Sequence, residues 1–204
     1  MTEAIKLRPA ALADARRLAQ LWAITFPDKF KLALGKKAEV VLYDWLRLSQ
    51  RHLQTTTVAE IDELIVGFIV LETPGAPPVD DGRWLWHALQ LNNGLLGALR
   101  GLLIMLLIDD HRRLGADEVY IEMLGVDPAW RGQGVARQLI LHAETVADAH
   151  HTGRLTLNVM SDNRPAIHLY QKMGFKKAKP EKENLLLKWV TGHSGYYEMA
   201  KQLR

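Results

Sequence analysis

The spacing of apolar residues divides the first third of the chain into predicted strands and helices. Short runs of alternating or β-branched residues predict strands at 5–10, 55–60 and 64–71. A turn at Asp62-Glu63 joins the last two strands into a hairpin. Apolar residues at helical spacing predict helices at 14–26 and 37–54, and Pro27 ends the first of them.

The middle of the chain is a segment rich in proline and glycine, followed by a long apolar stretch. Prolines and glycines predict a loop at 73–82, and the pattern of 84–115 predicts a helix in two pieces that breaks at Asn92-Asn93-Gly94. The most apolar part, 95–108, contains Arg100 and is shorter than the roughly 20 residues that a membrane-spanning helix needs. A buried helix is therefore the favoured interpretation.

The second half of the chain has the clearest pattern. Strands and helices alternate at 119–126, 131–150, 154–160 and 164–173, and two further strands follow at 184–190 and 196–203. Gly174 ends the last of these helices. A hairpin followed by strand, helix, strand and helix predicts one mixed α/β sheet in a single domain over residues 1–204.

Composition and charge exclude several kinds of site. The 204 residues include no cysteine, which excludes disulfides, thiolate metal sites and a cysteine nucleophile, and fits a reducing cytoplasm. The first residues are mixed and charged, so no signal peptide is expected there. The net charge of +3 suits an anionic cofactor. The sequence contains no basic stripe interleaved with aromatic residues, so nucleic-acid binding is not expected.

The segment after Val126 has the features of a phosphate-binding turn. Asp127-Pro128 ends the strand, and Gly132 and Gly134 remove side chains where backbone could approach a ligand closely. The helix that follows has unpaired N–H groups and a dipole that favours an anion at its start. A glycine-bearing turn without a ligand remains open. The dinucleotide-binding motif matches these residues more weakly, and the Walker A motif does not match them.

Two motifs together make the chain resemble the GNAT superfamily of N-acetyltransferases. The first is the family signature Arg/Gln-x-x-Gly-x-Gly/Ala, matched by Arg131-Gly132-Gln133-Gly134-Val135-Ala136. The second is a downstream block, matched by Asn163, Ala166, Tyr170, Gly174 and Phe175. The resemblance covers residues 119–175, and 84–115 departs from it as a helical insertion.

The resemblance implies a fold and a reaction. The fold is α/β (α+β), with a mixed, mostly antiparallel central sheet of about six to seven strands, flanked by helices and splayed between the fourth and fifth strands. The reaction is transfer of an acetyl group from acetyl-CoA to a primary amine by direct attack in a ternary complex. The acceptor is a small amine or a peptide or protein amine, and no metal is expected.

The resemblance also implies which residues bind the co-substrate. The pyrophosphate would contact the backbone of Gly132, Gln133, Gly134, Val135 and Ala136, with Arg131 beside it. The pantetheine arm would pair with the strand edge from Leu124 to Val126 and with Asn163. Gly125 is the expected site of a bulge that opens the sheet.

Two residues are candidates for the proton transfers. The resemblance places the Tyr170 hydroxyl near the sulfur of the thioester, as proton donor to the departing thiolate. Strand alternation puts Glu122, Leu124 and Val126 on one face, which makes Glu122 the candidate base. The open alternatives are that Tyr170 only packs on the sheet, and that Glu122 is a solvent-facing or ion-paired strand residue.

Other functions and partners are left open. An acyl-CoA-binding sensor without catalysis and a membrane-associated protein that works through 95–108 are the rival classes, although no membrane association is expected. A homodimer is left open. The adjacent pair His150-His151 does not converge on one metal ion and suits the C-terminus of a helix instead. Aromatic residues considered for an acceptor pocket, but more often found in a core, are Trp22, Phe26, Phe30, Trp84 and Trp86 with His87.

Overall fold

The computed structural model describes residues 4–75, 81–108, 114–178, 182–183 and 195–203. The chain divides into two compact units. The first unit contains residues 1–68, 77–110 and 125–135, and the second contains 69–76, 111–124 and 136–204. The single domain over 1–204 stays a prediction.

An antiparallel hairpin and an edge strand form the sheet of the first unit. The strands are β1 (Lys6–Pro9), β2 (Thr56–Ile61) and β3 (Leu64–Glu72), and β3 continues into the second unit. β1 pairs with β2, with Lys6 opposite Glu60. The two turn residues Asp62 and Glu63 have φ of 48° and 63°, the left-handed conformation of a tight two-residue hairpin. The predicted hairpin and edge strand are confirmed.

Five helices complete the described part of the first unit, and two of the sequence predictions for them were incomplete. They are α1 (Ala15–Thr25), α2 (Pro27–Leu34), α3 (Ala38–Ser49), α4 (Arg51–Gln54) and α5 (Asp81–Ile108). Pro27 ends α1 as predicted but also begins α2, because a proline in the first turn loses no helical hydrogen bond. The single helix predicted over 37–54 is wrong, since Gln50 has a left-handed φ of 52° and separates α3 from α4.

Aromatic side chains form the core of the first unit. Trp22 is fully buried and stacks on Phe30 with 5.9 Å between ring centroids. Trp45 contacts the edge of the same indole. Trp22 and Phe30 are therefore core residues and do not line an acceptor pocket.

Helix α5 has the predicted break. Gly94 has φ 68° and ψ −179°, so two helical segments meet there at a kink. Arg100 lies in the second segment and donates to the carbonyl oxygen of Leu32 over 3.4 Å.

The second unit contains the rest of the sheet and two helices. Its elements are β4 (Glu118–Val126), α6 (Val135–Ala149), β5 (Arg154–Met160), α7 (Arg164–Lys172), β6 (Lys176–Lys177), β7 (Lys182–Glu183) and β8 (Gly195–Gln202), with the last two residues of β4 and the first of α6 in the first unit. The strand order is β3-β4-β5-β8-β6, and β7 also pairs with β8. β4 and β5 are parallel, whereas β5 and β8 are antiparallel.

This architecture confirms the mixed, mostly antiparallel sheet that the resemblance implied. Six strands have four or more residues, and β6 and β7 add two residues each among the described residues. The strand expected at 184–190 lies outside the described residues. The helix expected at 131–150 begins only at Val135, so 131–134 is loop. α7 lies where it was predicted, and Gly174 follows it with a φ of 90°.

A buried carboxylate holds the first residues of β4 and β5 together. Glu118 is 2% exposed and accepts hydrogen bonds from the Gly115 amide, Arg154 and the Thr156 hydroxyl at 2.8–3.1 Å. The parallel pairing covers Glu118 to Ile121 and ends with Ile121 opposite Leu157. No further residue pair follows in the described ladder between these two strands.

Gly125 has a packing role that the sequence did not indicate. A Cβ added there would lie 2.5 Å from a ring carbon of Phe68 and 2.9 Å from the Thr25 hydroxyl oxygen. The glycine lets the end of β4 approach these two side chains closely. The bulge expected at Gly125 stays a prediction.

Candidate functional site

The glycine loop of the first unit begins at an anchored aspartate. The Asp127 amide donates to the Val66 carbonyl over 2.8 Å, and its carboxylate accepts from the Ala129 amide over 2.9 Å. The second bond caps the short 3-10 turn Pro128–Trp130. Asp127 therefore determines how the chain leaves β4 and enters the loop.

Arg17 of α1 holds this aspartate from outside the loop. Its Nη2 donates to Asp127 Oδ2 over 2.6 Å, and its Nε donates to the Ile65 carbonyl over 3.0 Å. The pKa of Asp127 lies below its usual range, chiefly because its carboxylate accepts the hydrogen bond from the Ala129 amide. The Arg17 guanidinium lowers this pKa further, whereas burial acts in the opposite direction. No pattern in the sequence indicates this role of Arg17, because its partner is 110 residues away along the chain.

If the loop binds the acetyl-CoA that the resemblance implies, we expect Arg17→Gln to weaken that binding without unfolding the protein. Glutamine cannot bond to the Asp127 carboxylate and the Ile65 carbonyl as the forked guanidinium does, and a hydrogen bond to a charged group contributes about 1.5–3 kcal/mol. The KM for acetyl-CoA should rise roughly 10-fold, with kcat less affected. Arg16→Gln is the matched control, because Arg16 is exposed and stacks over Tyr43. Equal KM values for the two variants would contradict this role.

The two loop glycines have a conformation that other residues rarely adopt. Gly132 has φ 77° and Gly134 has φ 87°, and a Cβ added at either position would meet no heavy atom within 4 Å. Both residues are exposed, as are Arg131 and Gln133. The glycines are thus required by the backbone conformation, and the space beside them is open to a ligand.

The loop leads directly into the N-terminus of α6. Val135 is buried and Ala136 is half-buried at the start of this 15-residue helix, and its first turn contains no acidic residue. The unpaired N–H groups and the helix dipole favour an anion at this end. Arg131 donates to the Val126 carbonyl over 3.3 Å, so its guanidinium stays near the start of the loop. Loop and helix end together can bind a phosphate group.

In the second unit, one face of β4 carries the candidate base. Tyr120, Glu122 and Leu124 are half-buried and alternate with the buried Ile121 and Met123, as the strand pattern predicted. Among the described residues no hydrogen bond or ion pair to Glu122 is found. Val126, expected on the same face, is buried at 8% exposure.

Tyr170 lies at the end of α7 in a buried environment. Its ring packs against Phe175 with 5.8 Å between centroids. Burial raises the pKa of Tyr170 to about 12, because the interior disfavours the charged phenolate. The phenol is therefore protonated at neutral pH, which a proton donor requires.

Asn163 has a local role in the second unit. Its side-chain oxygen accepts a hydrogen bond from the Ala166 amide over 3.2 Å and caps α7. The residue is exposed, and its amide NH2 group can still donate to a ligand.

The other candidate side chains do not form a recognisable site. His150, His151 and His168 are exposed, and no group of three or more potential metal ligands is found in the part of the chain that the structure describes. Trp84 is half-buried beside the exposed His87, with 6.0 Å between ring centroids. Neither arrangement identifies an acceptor.

Comparison with known proteins gives consistent matches. The model of the acetyltransferase (GNAT) family matches residues 16–175. A streptothricin acetyltransferase of Streptomyces lavendulae is 33% identical over 136 residues, covering 59% of this chain and 69% of the relative. A peptidyl-lysine N-acetyltransferase of Salmonella typhimurium is 30% identical over 145 residues, covering 71% and 74%.

A solved structure shares the fold. PaiA N-acetyltransferase from Thermoplasma acidophilum, solved in complex with coenzyme A, has a TM-score of 0.59 at 15% identity, covering 98% of this chain and 99% of the other. At this identity the likeness concerns the fold alone.

Proposed function

This chain belongs to the acetyltransferase (GNAT) family, and we propose that it transfers the acetyl group of acetyl-CoA to a primary amine by direct attack in a ternary complex. It is an N-acetyltransferase on the strength of that family match and of its acetyltransferase relatives. A primary amine as the acceptor, and direct attack in a ternary complex, are what we propose beyond this assignment.

The observation that carries the proposal is the glycine loop. Gly132 and Gly134 hold left-handed conformations with open space beside them, and the loop ends at a helix N-terminus without acidic residues. These are the features that a diphosphate group needs. We infer that the amides of Gly132, Gln133, Gly134, Val135 and Ala136 bind the pyrophosphate of coenzyme A and that Arg131 supports them.

The groups proposed to bind the pantetheine arm differ from those proposed for the pyrophosphate. We propose that it pairs with the backbone of Leu124–Val126 as an added strand, and that the Asn163 amide donates to it. Support comes from the end of the β4–β5 pairing at Ile121 and Leu157, which leaves the later residues of β4 without β5 as a neighbour. The coenzyme A in the PaiA structure belongs to that protein and agrees with this class of co-substrate.

The proposed chemistry moves two protons. The neutral amine attacks the thioester carbonyl carbon, a C–N bond forms and the C–S bond breaks. Glu122 accepts the proton that the amine loses, directly or through water, and Tyr170 donates its hydroxyl proton to the departing thiolate. The Val126 N–H is the proposed donor to the oxygen on which charge develops.

Direct attack is favoured over an acetylated enzyme by the absence of cysteine, because no thiol is present to accept the acetyl group. Initial rates measured against both substrates should give intersecting lines in a double-reciprocal plot. The intact mass of the enzyme should not change after incubation with acetyl-CoA alone. Parallel lines together with a mass increase of one acetyl group would refute direct attack.

We expect Glu122→Gln to reduce kcat at least about 10-fold near neutral pH, because glutamine cannot accept the proton from the amine. The loss should shrink as the pH rises, because hydroxide can then accept the proton that the amine loses. A pH–rate profile over pH 6–10 measures this, with Glu144→Gln as the control, since Glu144 is a carboxylate that forms a half-buried ion pair with Lys201 and has no part in the proposed chemistry. A profile for Glu122→Gln that coincides with the wild-type profile would show that another group is the base.

The acceptor is tested with a panel of amines. The Streptomyces relative is named for streptothricin and the Salmonella relative for peptidyl-lysine, so the panel should contain aminoglycoside-like and other small amines together with lysine and N-terminal peptides. Thiol release from acetyl-CoA gives the rate, and mass spectrometry of the product locates the acetyl group. Coenzyme binding by calorimetry without turnover of any acceptor would contradict the proposed reaction.

A further inference from the structure

Helix α5, expected from its apolar pattern to be buried over 95–108, instead exposes a row of leucines that begins before the kink at Gly94 and continues along its second segment. Six of them are 52–82% exposed, with Leu96 the most exposed. They are Leu91, Leu95, Leu96, Leu99, Leu103 and Leu106. Single exposed leucines are ordinary, whereas a contiguous row on one helix marks an interaction surface. We call these six residues the leucine face.

Packing on the opposite side of the helix holds the leucine face outward. Ala98, Gly101 and Met105 are buried, at the spacing of one helical face. A Cβ added at Gly101 would lie 2.9 Å from both the Ala33 carbonyl oxygen and a Leu89 methyl group. Because the helix lies this close to α2, it cannot rotate to bury its leucines within the first unit.

A membrane is the less suitable partner for this face. The segment Gly82–Leu106 is long and apolar enough to span a bilayer by length and composition. However, the kink at Gly94 leaves a straight segment of residues 95–108, about 21 Å at 1.5 Å per residue, against a hydrocarbon core of about 30 Å. An interfacial helix carries several lysines and arginines, yet Arg100 is the single charged residue between Leu91 and Leu106.

A second copy of the chain is the partner that the face fits. Leu96, Leu99, Leu103 and Leu106 follow the 3-4-3 spacing of a coiled-coil seam. The six leucines expose on the order of 500 Å² of apolar side chain, most of the roughly 800 Å² per partner that a standard interface buries. An uncharged row is complementary to itself about a two-fold axis, since no like charges oppose each other there.

We propose that the leucine face of α5 forms a two-fold homodimer interface, with the α5 helices of two copies packed face to face. The interface uses α5 alone and does not depend on the proposed reaction. In a two-fold dimer each substitution occurs in both copies, so it changes the interface at two symmetry-related positions.

Light scattering coupled to size exclusion, over a range of protein concentrations, tests this with the full chain. The wild type should be a dimer, and Leu99→Glu should raise the dimer dissociation constant at least about 30-fold. Leu12→Glu is the matched control, since Leu12 is 50% exposed on another element and its variant should remain dimeric. A monomeric wild type, or a Leu99→Glu variant that dimerises as well as the wild type, would overturn the proposal.

Cross-linking gives a second measurement that does not depend on a charged substitution. The natural chain has no cysteine, so Leu99→Cys introduces a single thiol. Oxidation should produce a disulfide-linked dimer at protein concentrations where Leu12→Cys stays monomeric. Equal cross-linking of the two variants would contradict the interface. Leucine-dependent co-sedimentation of a monomeric wild type with phosphatidylcholine vesicles would assign the face to membranes instead.

Discussion

Tyr170→Phe is expected to lower kcat by about 100- to 1,000-fold, within the usual contribution of a positioned proton donor. The variant loses only the hydroxyl group and keeps the ring that packs against Phe175. Binding of coenzyme A, measured by calorimetry, should therefore change less than two-fold or so. A loss of kcat without a loss of binding is the signature of a group that acts in the transition state.

The pH dependence of this defect separates the donor role from a structural one. Because burial raises the pKa of Tyr170 to about 12, its phenol stays protonated throughout the range in which the enzyme can be assayed. The ratio of wild-type to variant kcat should thus be the same at pH 7 and pH 10. A ratio that falls steadily with pH would show that the proton comes from a group of lower pKa.

The control for this experiment is Tyr43→Phe. Tyr43 is half-buried on α3, where Arg16 lies over its ring, and the proposed chemistry does not use it. Its variant should keep full activity. If Tyr170→Phe is equally active, Tyr170 is a core residue that packs against Phe175, and the thiolate takes its proton from elsewhere.

Features of the fold that depend on neighbouring residues were predictable from the sequence. The hairpin follows from two β-rich runs separated by Asp62 and Glu63, and the break in α5 follows from Asn92-Asn93-Gly94. The alternation along β4 placed Glu122 and Leu124 on one face correctly. In each case the information lies within a few residues of the feature.

Features that depend on distant contacts were not predictable. Arg17 acts on Asp127, which is 110 residues away, and no local pattern connects them. Gly125 is required by its approach to Phe68 and Thr25, which only the folded chain brings together. The helix that begins at Pro27 was missed for a different reason. Proline is compatible with both a helix end and a helix start, and here it serves as both.

The same division applies to the candidate site. Spacing in the sequence located the loop, the cap residue Asn163 and Tyr170, because these belong to two short motifs. The acceptor contacts come from no such motif. Of the aromatic residues considered for them, Trp22 and Phe30 proved to be core. The proposed binding site of the acetyl donor thus follows from sequence motifs, whereas the contacts to the acceptor depend on tertiary packing.

Gly134→Ala is expected to raise the dissociation constant of coenzyme A by about 100-fold. Alanine in the left-handed conformation costs roughly 1–2 kcal/mol, so the loop will relax to another shape and its amides will no longer point at one anion. If the proposed pyrophosphate site is correct, the added Cβ also occupies space that the ligand needs. Calorimetric titration with coenzyme A measures the change directly.

Gly75→Ala is the control that separates ligand binding from backbone strain. Gly75 has φ 79°, is exposed, and has no heavy atom within 4 Å of an added Cβ, so its substitution carries a comparable conformational cost. The two variants should lose similar thermal stability, but coenzyme A affinity should fall in Gly134→Ala alone. Equal affinities would mean that the loop is a turn into α6 without a ligand. A loss confined to Gly134→Ala assigns the open space beside that glycine to the coenzyme, since strain alone would affect both variants.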